Sequence, residues 1–480
     1  MTTAPQPLVE QQTRTEHDLL GDFSVPANAY WGVHTQRALD NFDISRTKIG
    51  MHQKLVGALA AVKEAAALAN QELGQLDAEK AQAIAAACRR IRKGELHDQF
   101  VVDNIQGGAG TSTNMNANEV IANLALEILG HDKGDYRFVH PLNDVNHSQS
   151  TNDVYPTAAK IALIWALRRL ADAMEHLATI YDAKAAEFAD VLKIGRTQLQ
   201  DAVPMTLGQE FATYAIMTRE DRLRLLEAAE LISEINIGGT AIGTGLNTHP
   251  DYAQLVCTHL SNITGLQLVT AENLVEATQD VGDFVQLSGV LKRIAVKASK
   301  ICNDLRLLSS GPRAGLGEIN LPPVQAGSSI MPGKVNPVIP EVVNQIAFEV
   351  IGHDVTISLA AEAGQLQLNA FEPVIVHSLF ECIDHLRRGL TTLADRCIAG
   401  ITANQDKLRD DVWSSVSIVT ALSPYLGYET STTLAQRALA ENRSIPDIIR
   451  SERLIDEALL AEALKPENLT HPWIPADPTA

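Results

Sequence analysis

Five short segments of the chain gather hydroxyl, amide and ammonium groups among small residues. They are QGGAGTSTNMN at 106–116, SQSTND at 148–153, GRTQLQD at 195–201, GGTAIGTG at 238–245 and GSSIMPGKVNP at 327–337. The hydroxyls of Thr111, Ser150, Thr151 and Ser329 are neutral donors that can surround a carboxylate, and the Lys334 ammonium brings a full positive charge to a second one. Together they suit a small dicarboxylate. Taken singly, a Ser or Thr in such a loop is more often a turn or cap residue than a ligand, so this chemistry depends on convergence in space.

Other chemistries lack their usual supports. GSSIMPGKV has one residue too many between its glycines for a phosphate loop, and Val335 follows Lys334 where Ser or Thr is needed, which disfavours an NTPase. The glycines at 107–110 and 238–245 follow no predicted strand and open no βαβ unit, against dinucleotide binding. There is no H-E-x-x-H, no G-x-S-x-G and no clustered Cys/His set, so metal catalysis and acyl-serine chemistry are not indicated. A net charge of −19 and a pI near 5.2 repel nucleic acid and anionic membranes. A small anion can still bind where local cations override that field.

The five cysteines are scattered and never spaced C-x-x-C, which reads as reduced, buried thiols in a cytoplasmic protein. No run reaches the roughly 18 apolar residues of a membrane span, and MTTAPQPLVEQQ has no signal-peptide pattern.

The elements that carry these loops are mainly α-helical. Residues 54–92 are rich in Ala, Leu, Glu and Lys, the strongest helix formers. Leu287, Leu291, Ile294, Ala298, Ile301, Leu305 and Leu308 alternate spacings of four and three, the seam of a helix packed lengthwise on long neighbours. Further periodic runs at 157–190, 205–236, 341–362 and 374–400 exceed the ordinary helix of about 11 or 12 residues. A rod of such antiparallel helices has much surface for its volume, so apolar stripes on several faces predict a homo-oligomer. The expected organisation is a disordered arm over 1–15, an N-terminal mostly helical domain over 16–145, a central long-helix bundle over 146–400 and a small C-terminal helical domain over 401–480. Strand signals are sparse, with Leu142 to Val145 too weak to define a sheet.

GSSIMPGKVNP resembles the signature loop of the aspartase/fumarase superfamily over all eleven residues. SQSTND and GRTQLQD resemble its second and third segments, in the same order, and the likeness runs from about Arg14 to about Pro472. The resemblance implies a three-region, mainly α fold and a homotetramer with twenty long helices at its centre. It also implies composite active sites that use loops of three subunits. The chemistry implied is anti elimination through an aci-carboxylate, with Ser328 as base. Lys334 and Asn336 would hold the α-carboxylate, and Thr111, Ser150, Thr151 and Ser329 the β-carboxylate. Asn152, Thr197 and Gln198 would lie near the leaving amine. For Thr197 and Gln198 the alternative is capping a helix that starts near Met205. Gly327, Pro332, Gly333 and Pro337 bracket the serine as in a lid that closes over substrate. No cofactor or metal is called for; Mg2+ activation, a property of some aspartases, has no visible ligand motif here.

Within the superfamily, fumarase-like chains place a His where this one has Gln198. Expelling hydroxide needs a proton donor, whereas an ammonium leaving group carries its own proton. QGGAGTSTNMN, YWGVHTQRALDNF and AEAGQLQLN also resemble the aspartase form, so the implied reaction is conversion of L-aspartate to fumarate and ammonia. The rival is water addition or removal as in class II fumarases, and a third reading is an inactive structural member of the superfamily.

Overall fold

The structure, a computed structural model, describes residues 12–474. Five long helices dominate it: Thr151–Glu187, Leu207–Leu231, Gly282–Leu308, Val338–Glu362 and Glu372–Arg396. The first has 37 residues, about 55 Å at 1.5 Å per residue. All seven residues of the predicted seam, from Leu287 to Leu308, are buried. The other helical runs fall where periodicity put them, with ends shifted by a few residues.

The chain divides into two compact units. The first holds the residues up to Ala171 with Leu223–Arg293 and Glu349–His385; the second holds Asp172–Arg222, Ile294–Phe348 and the residues from Leu386 onward. The division falls within each of the five long helices.

In the first unit, the helical region read over 54–92 consists of two helices, Gln53–Glu72 and Ala78–Arg92. Gly74 takes a positive φ of 69° between them, a conformation that favours glycine. The second helix restarts on Asp77, whose carboxylate accepts from the N–H groups of Glu79 and Lys80, an ordinary N-cap. The arm expected over 1–15 overlaps a strand, since Thr13–Asp18 pairs antiparallel with Gly21–Pro26; residues 1–11 lie outside the described residues. The weak strand candidate at 142–145 is instead part of a π-helical turn, Pro141–Val145.

In the second unit, the segment read as a loop at 195–201 is the tip of a hairpin, Leu192–Thr197 with Gln200–Thr206. Short helices after residue 404 bury Val412, Ile418, Leu422, Leu434, Ile448, Ile449 and Leu460 in a core of their own, and Ile194 of the hairpin is part of it.

Glu372 opens one of the long helices almost completely buried. Burial raises its carboxyl pKa from 4.5 to about 8, against the pull of the Lys160 ammonium. The native state therefore holds this proton more tightly than the unfolded chain does. The stability so gained is complete below about pH 4.5 and is lost as pH rises through 8. In denaturant titrations from pH 4.5 to 8.5, Glu372→Gln should remove a decline on the order of 3 kcal/mol; parallel curves for variant and wild type would contradict this.

Candidate active site

The first unit carries three of the five segments. In 106–116, Gly108, Ala109 and Gly110 all take positive φ and turn the chain into the helix Thr111–Ile128. Gly110 is required twice, because a Cβ there would also sit 2.5 Å from the Tyr155 ring. Buried Gln106 steadies the entry, its Oε1 accepting from the Thr113 N–H at 3.1 Å and the Thr113 hydroxyl at 3.2 Å. Thr111 is thereby exposed at the first helical position, with its hydroxyl turned onto the Gly108 carbonyl at 2.7 Å.

The helix Thr151–Glu187 begins inside SQSTND. Pro156 lacks an N–H, which leaves the Asn152 carbonyl without its helical donor. Asn236 fills the gap, its Nδ2 donating to Asn152 O at 3.0 Å. Asn152 in turn donates to the Ala241 carbonyl at 2.7 Å. Asp153, wholly buried, accepts from the N–H groups of Ser150 at 2.9 Å, Gly238 at 3.1 Å and Thr240 at 2.9 Å. These bonds lock 148–153 against 238–245.

Behind them sits Asn146. Its Oδ1 accepts from Lys63 Nζ at 2.9 Å and from the amides of Asn114 and Asn118, both at 3.1 Å. Asn114 also donates to Thr151 Oγ1 at 3.1 Å. Lys63 is fully buried; desolvation pushes its pKa down and the Asp153 carboxylate pulls it back up. Desolvation likewise pushes the Asp153 pKa up, opposed by its backbone donors and by Lys63. Asn114 Oδ1, Asn118 Oδ1, Gln149 Oε1 and Thr240 Oγ1 are buried without a protein partner. Such a concentration of unpaired acceptors needs water or a ligand to complete it.

The second unit carries the other two segments. Gln198 and Leu199 both have positive φ and form the two-residue turn of the hairpin, beside the Thr197–Gln200 pair. Thr197 and Gln198 do not cap the following helix. That task falls to Thr206 and Gln209, each accepting from the other's N–H at 3.0 Å. The turn is instead anchored from behind: buried Glu318 pairs with Lys193 and Arg196, and Asp201 accepts from Ser415 Oγ at 2.8 Å.

The loop 327–337 closes on itself. Gly327 N–H donates to Lys334 O at 2.7 Å, and Asn336 Nδ2 donates to Gly327 O at 2.8 Å. A Cβ on Gly327 would lie 2.7 Å from that Lys334 oxygen. Within this ring the Ser328 hydroxyl oxygen accepts from two backbone N–H groups, Ile330 at 3.1 Å and Met331 at 2.9 Å. Ser329 and Lys334 face solvent, as do the apolar Ile330, Met331 and Val335.

The structure thus ties Ser150, Thr151 and Asn152 into one network, with Thr111 one turn from its member Asn114, all in the first unit. Thr197 and Gln198, and separately Ser328, Ser329, Lys334 and Asn336, are held in the second. Sequence reasoning missed Lys63, Asn114, Asn146, Asp153 and Asn236 as supports. Asn114 and Asp153 lie inside segments already singled out but were given no role, and of the others only Lys63 gave a signal, as a charge inside the apolar run VGALAAVKEAAALAN.

The family described as Lyase matches residues 21–352, and that described as Fumarase C C-terminus matches 418–471. The chain is 57% identical to the aspartate ammonia-lyase of Pseudomonas aeruginosa over 96% of its own length and 97% of that protein's. It is 52% identical to the aspartate ammonia-lyase of Escherichia coli K12, covering 96% of each. Among solved structures, the fumarate lyase:delta crystallin of Brucella melitensis bound to cobalt superposes with a TM-score of 0.94 at 54% identity, over 96% of this chain and 100% of that one. A class II fumarase from Schistosoma mansoni gives 0.90 at 34% identity, over 95% and 98%. The chain belongs to this lyase family, the aspartase/fumarase superfamily, and its mainly α fold is the one that family shares.

Asn146→Ala would leave the Lys63 ammonium and two amides without their shared acceptor. It should cost about 1–3 kcal/mol of stability in denaturant titrations and weaken succinate binding by calorimetry about tenfold, a loss of about 1.4 kcal/mol. Unchanged succinate affinity would show that this network does not set the loop.

Proposed function

We propose that this chain is an aspartate ammonia-lyase that converts L-aspartate reversibly into fumarate and ammonia, with Ser328 as the base. The observation that carries the reading is the Ser328 hydroxyl oxygen held by two backbone N–H groups in the 327–337 loop. An alcohol is a poor base at neutral pH, and donors converging on its oxygen favour the alkoxide it must become.

The alkoxide takes the proton from the carbon beside the β-carboxylate. That carboxylate becomes the doubly charged aci form, and the barrier lies in this charge. Thr111, Ser150, Thr151 and Ser329 donate to it, each such donor being worth about 3 kcal/mol. Lys334 and Asn336 hold the α-carboxylate. The C–N bond then breaks with its electron pair going to the already protonated nitrogen, which leaves as neutral ammonia, so Asn152, Thr197 and Gln198 need only orient it. Gln198 at the hairpin turn supports an ammonia rather than a water leaving group, as do full-length relatives named aspartate ammonia-lyase.

The reading includes a cytoplasmic homotetramer, a three-region chain and no required cofactor, with Mg2+ at most an activator. Phe348, Ile351, Val355 and Leu359 form an exposed apolar stripe along the helix Val338–Glu362, which supports burial against other copies. No helix among the described residues is long and apolar enough to cross a membrane.

Purified protein should raise ultraviolet absorbance from fumarate with L-aspartate and not with L-malate; activity with malate alone would replace the ammonia-lyase by a fumarase. Ser328→Ala should lose turnover at least a hundredfold while keeping the tetramer. Retention of more than about a tenth of the rate, a loss under roughly 1.4 kcal/mol, would remove Ser328 as base. Val355→Asp combined with Leu359→Asp should break the tetramer in sedimentation experiments; an intact tetramer would show that another face is buried.

A further inference from the structure

Apart from these loops, the first unit brings together three side chains that the proposed reaction does not use. His52 immediately precedes the helix Gln53–Glu72. His377 and Glu381 lie one turn apart on the helix Glu372–Arg396, a spacing that puts both on one face. Each of the three offers a ligand atom, and these atoms lie within 4.8 Å of one another.

Three further observations separate this cluster from a chance meeting of polar groups. His377 Nδ1 is buried with no hydrogen-bond partner, an unfavourable state for an imidazole nitrogen unless something else occupies its lone pair or takes its proton. His52 is braced on both sides. Its Nε2 lies 2.9 Å from the Asn104 side-chain amide, and its ring stacks on Phe380 with centroids 5.0 Å apart and planes at 23°. The amide atom there is Asn104 Nδ2; turning that amide over brings its oxygen to Nε2, where it takes the ring proton and leaves the Nδ1 lone pair for a ligand. Glu381 adds the single anionic ligand.

We propose that His52, His377 and Glu381 form a binding site for one divalent transition-metal ion of the Zn2+ or Co2+ type, with water in the remaining positions. Ligand chemistry selects the class, since two imidazoles and a carboxylate suit Zn2+ and Co2+, whereas Mg2+ keeps to oxygen ligands and water. Bonds of about 2.1 Å in tetrahedral geometry need ligand atoms about 3.4 Å apart. From separations of up to 4.8 Å the three must therefore draw in by up to about 1.4 Å, which asks the imidazoles as well as Glu381 to adjust. The ion would clip the start of the Gln53–Glu72 helix to the Glu372–Arg396 helix, so it stabilises the unit and takes no part in turnover.

The test uses full-length protein stripped with a chelator and titrated with Co2+ alone by calorimetry and visible absorption. One ion per subunit is expected, with the absorption of nitrogen and oxygen ligation. Affinity should fall at least a hundredfold in His377→Ala and be undiminished by equimolar Mg2+. Unchanged affinity in that variant, effective competition by Mg2+, or no binding to wild type overturns the proposal. Should His377→Ala fail to fold, anomalous scattering from Co2+-soaked wild-type crystals decides. A peak between the three side chains upholds the site, and peaks only elsewhere overturn it.

Discussion

A carboxylate with no access to water governs the geometry of this protein's first unit. Asp153 accepts the N–H groups of Ser150, Gly238 and Thr240 just where a 37-residue helix begins. The start of a helix leaves N–H groups without partners; here Ser150 takes those of Asn152, Asp153 and Val154, while the Asp153 carboxylate serves N–H groups of the neighbouring loop. Pro156 frees one carbonyl as well, and Asn236 answers it. Each such repair joins a loop to a rigid rod, so Ser150, Thr151 and Asn152 inherit the rigidity of the helices behind them. The cost is two buried ionisable groups, Lys63 and Asp153, each held away from its ordinary pKa by desolvation and drawn partly back by the other's charge. Removing either partner alone would strand a charge, which makes the loop geometry hard to change piecemeal.

The second unit solves a related problem by different means. Its donors lie on a hairpin turn and on a lid-like ring, not on a helix start. The hairpin is pinned by Glu318 under Lys193 and Arg196, and the ring by Gly327 and Asn336. The ring leaves Ser328 facing two N–H groups and leaves Lys334 exposed in a chain of net charge −19. A lone ammonium with neutral donors gives local attraction for a dianion without a strongly basic surface.

Much of this was legible in the sequence, for a physical reason. Long helices repeat their apolar positions many times, so the seam from Leu287 to Leu308 and the helical runs could be read from period alone. The segments that interrupt that period were equally visible. Short-range exceptions were harder. One residue, Gly74, splits an otherwise continuous helical pattern. The hairpin at 192–206 contains Gly195 and Pro204, both poor strand formers, and so read as a loop. Least legible were groups whose meaning is proximity. Asn146 gathers donors from 63, 114 and 118, and His52 meets His377 from the far end of the chain; no local pattern announces either.

The account stands or falls on whether donors from separate copies of the chain complete one pocket. Ser328→Ala and the double variant Ser150→Ala, Thr151→Val damage donors held in different units. Each variant alone should be inactive. Unfolded together and refolded as random hybrids, the two should recover up to about a quarter of wild-type ammonia release, because both intact loops then meet at a fraction of sites. Hybrids as inactive as their parents would mean that each pocket draws these donors from a single chain.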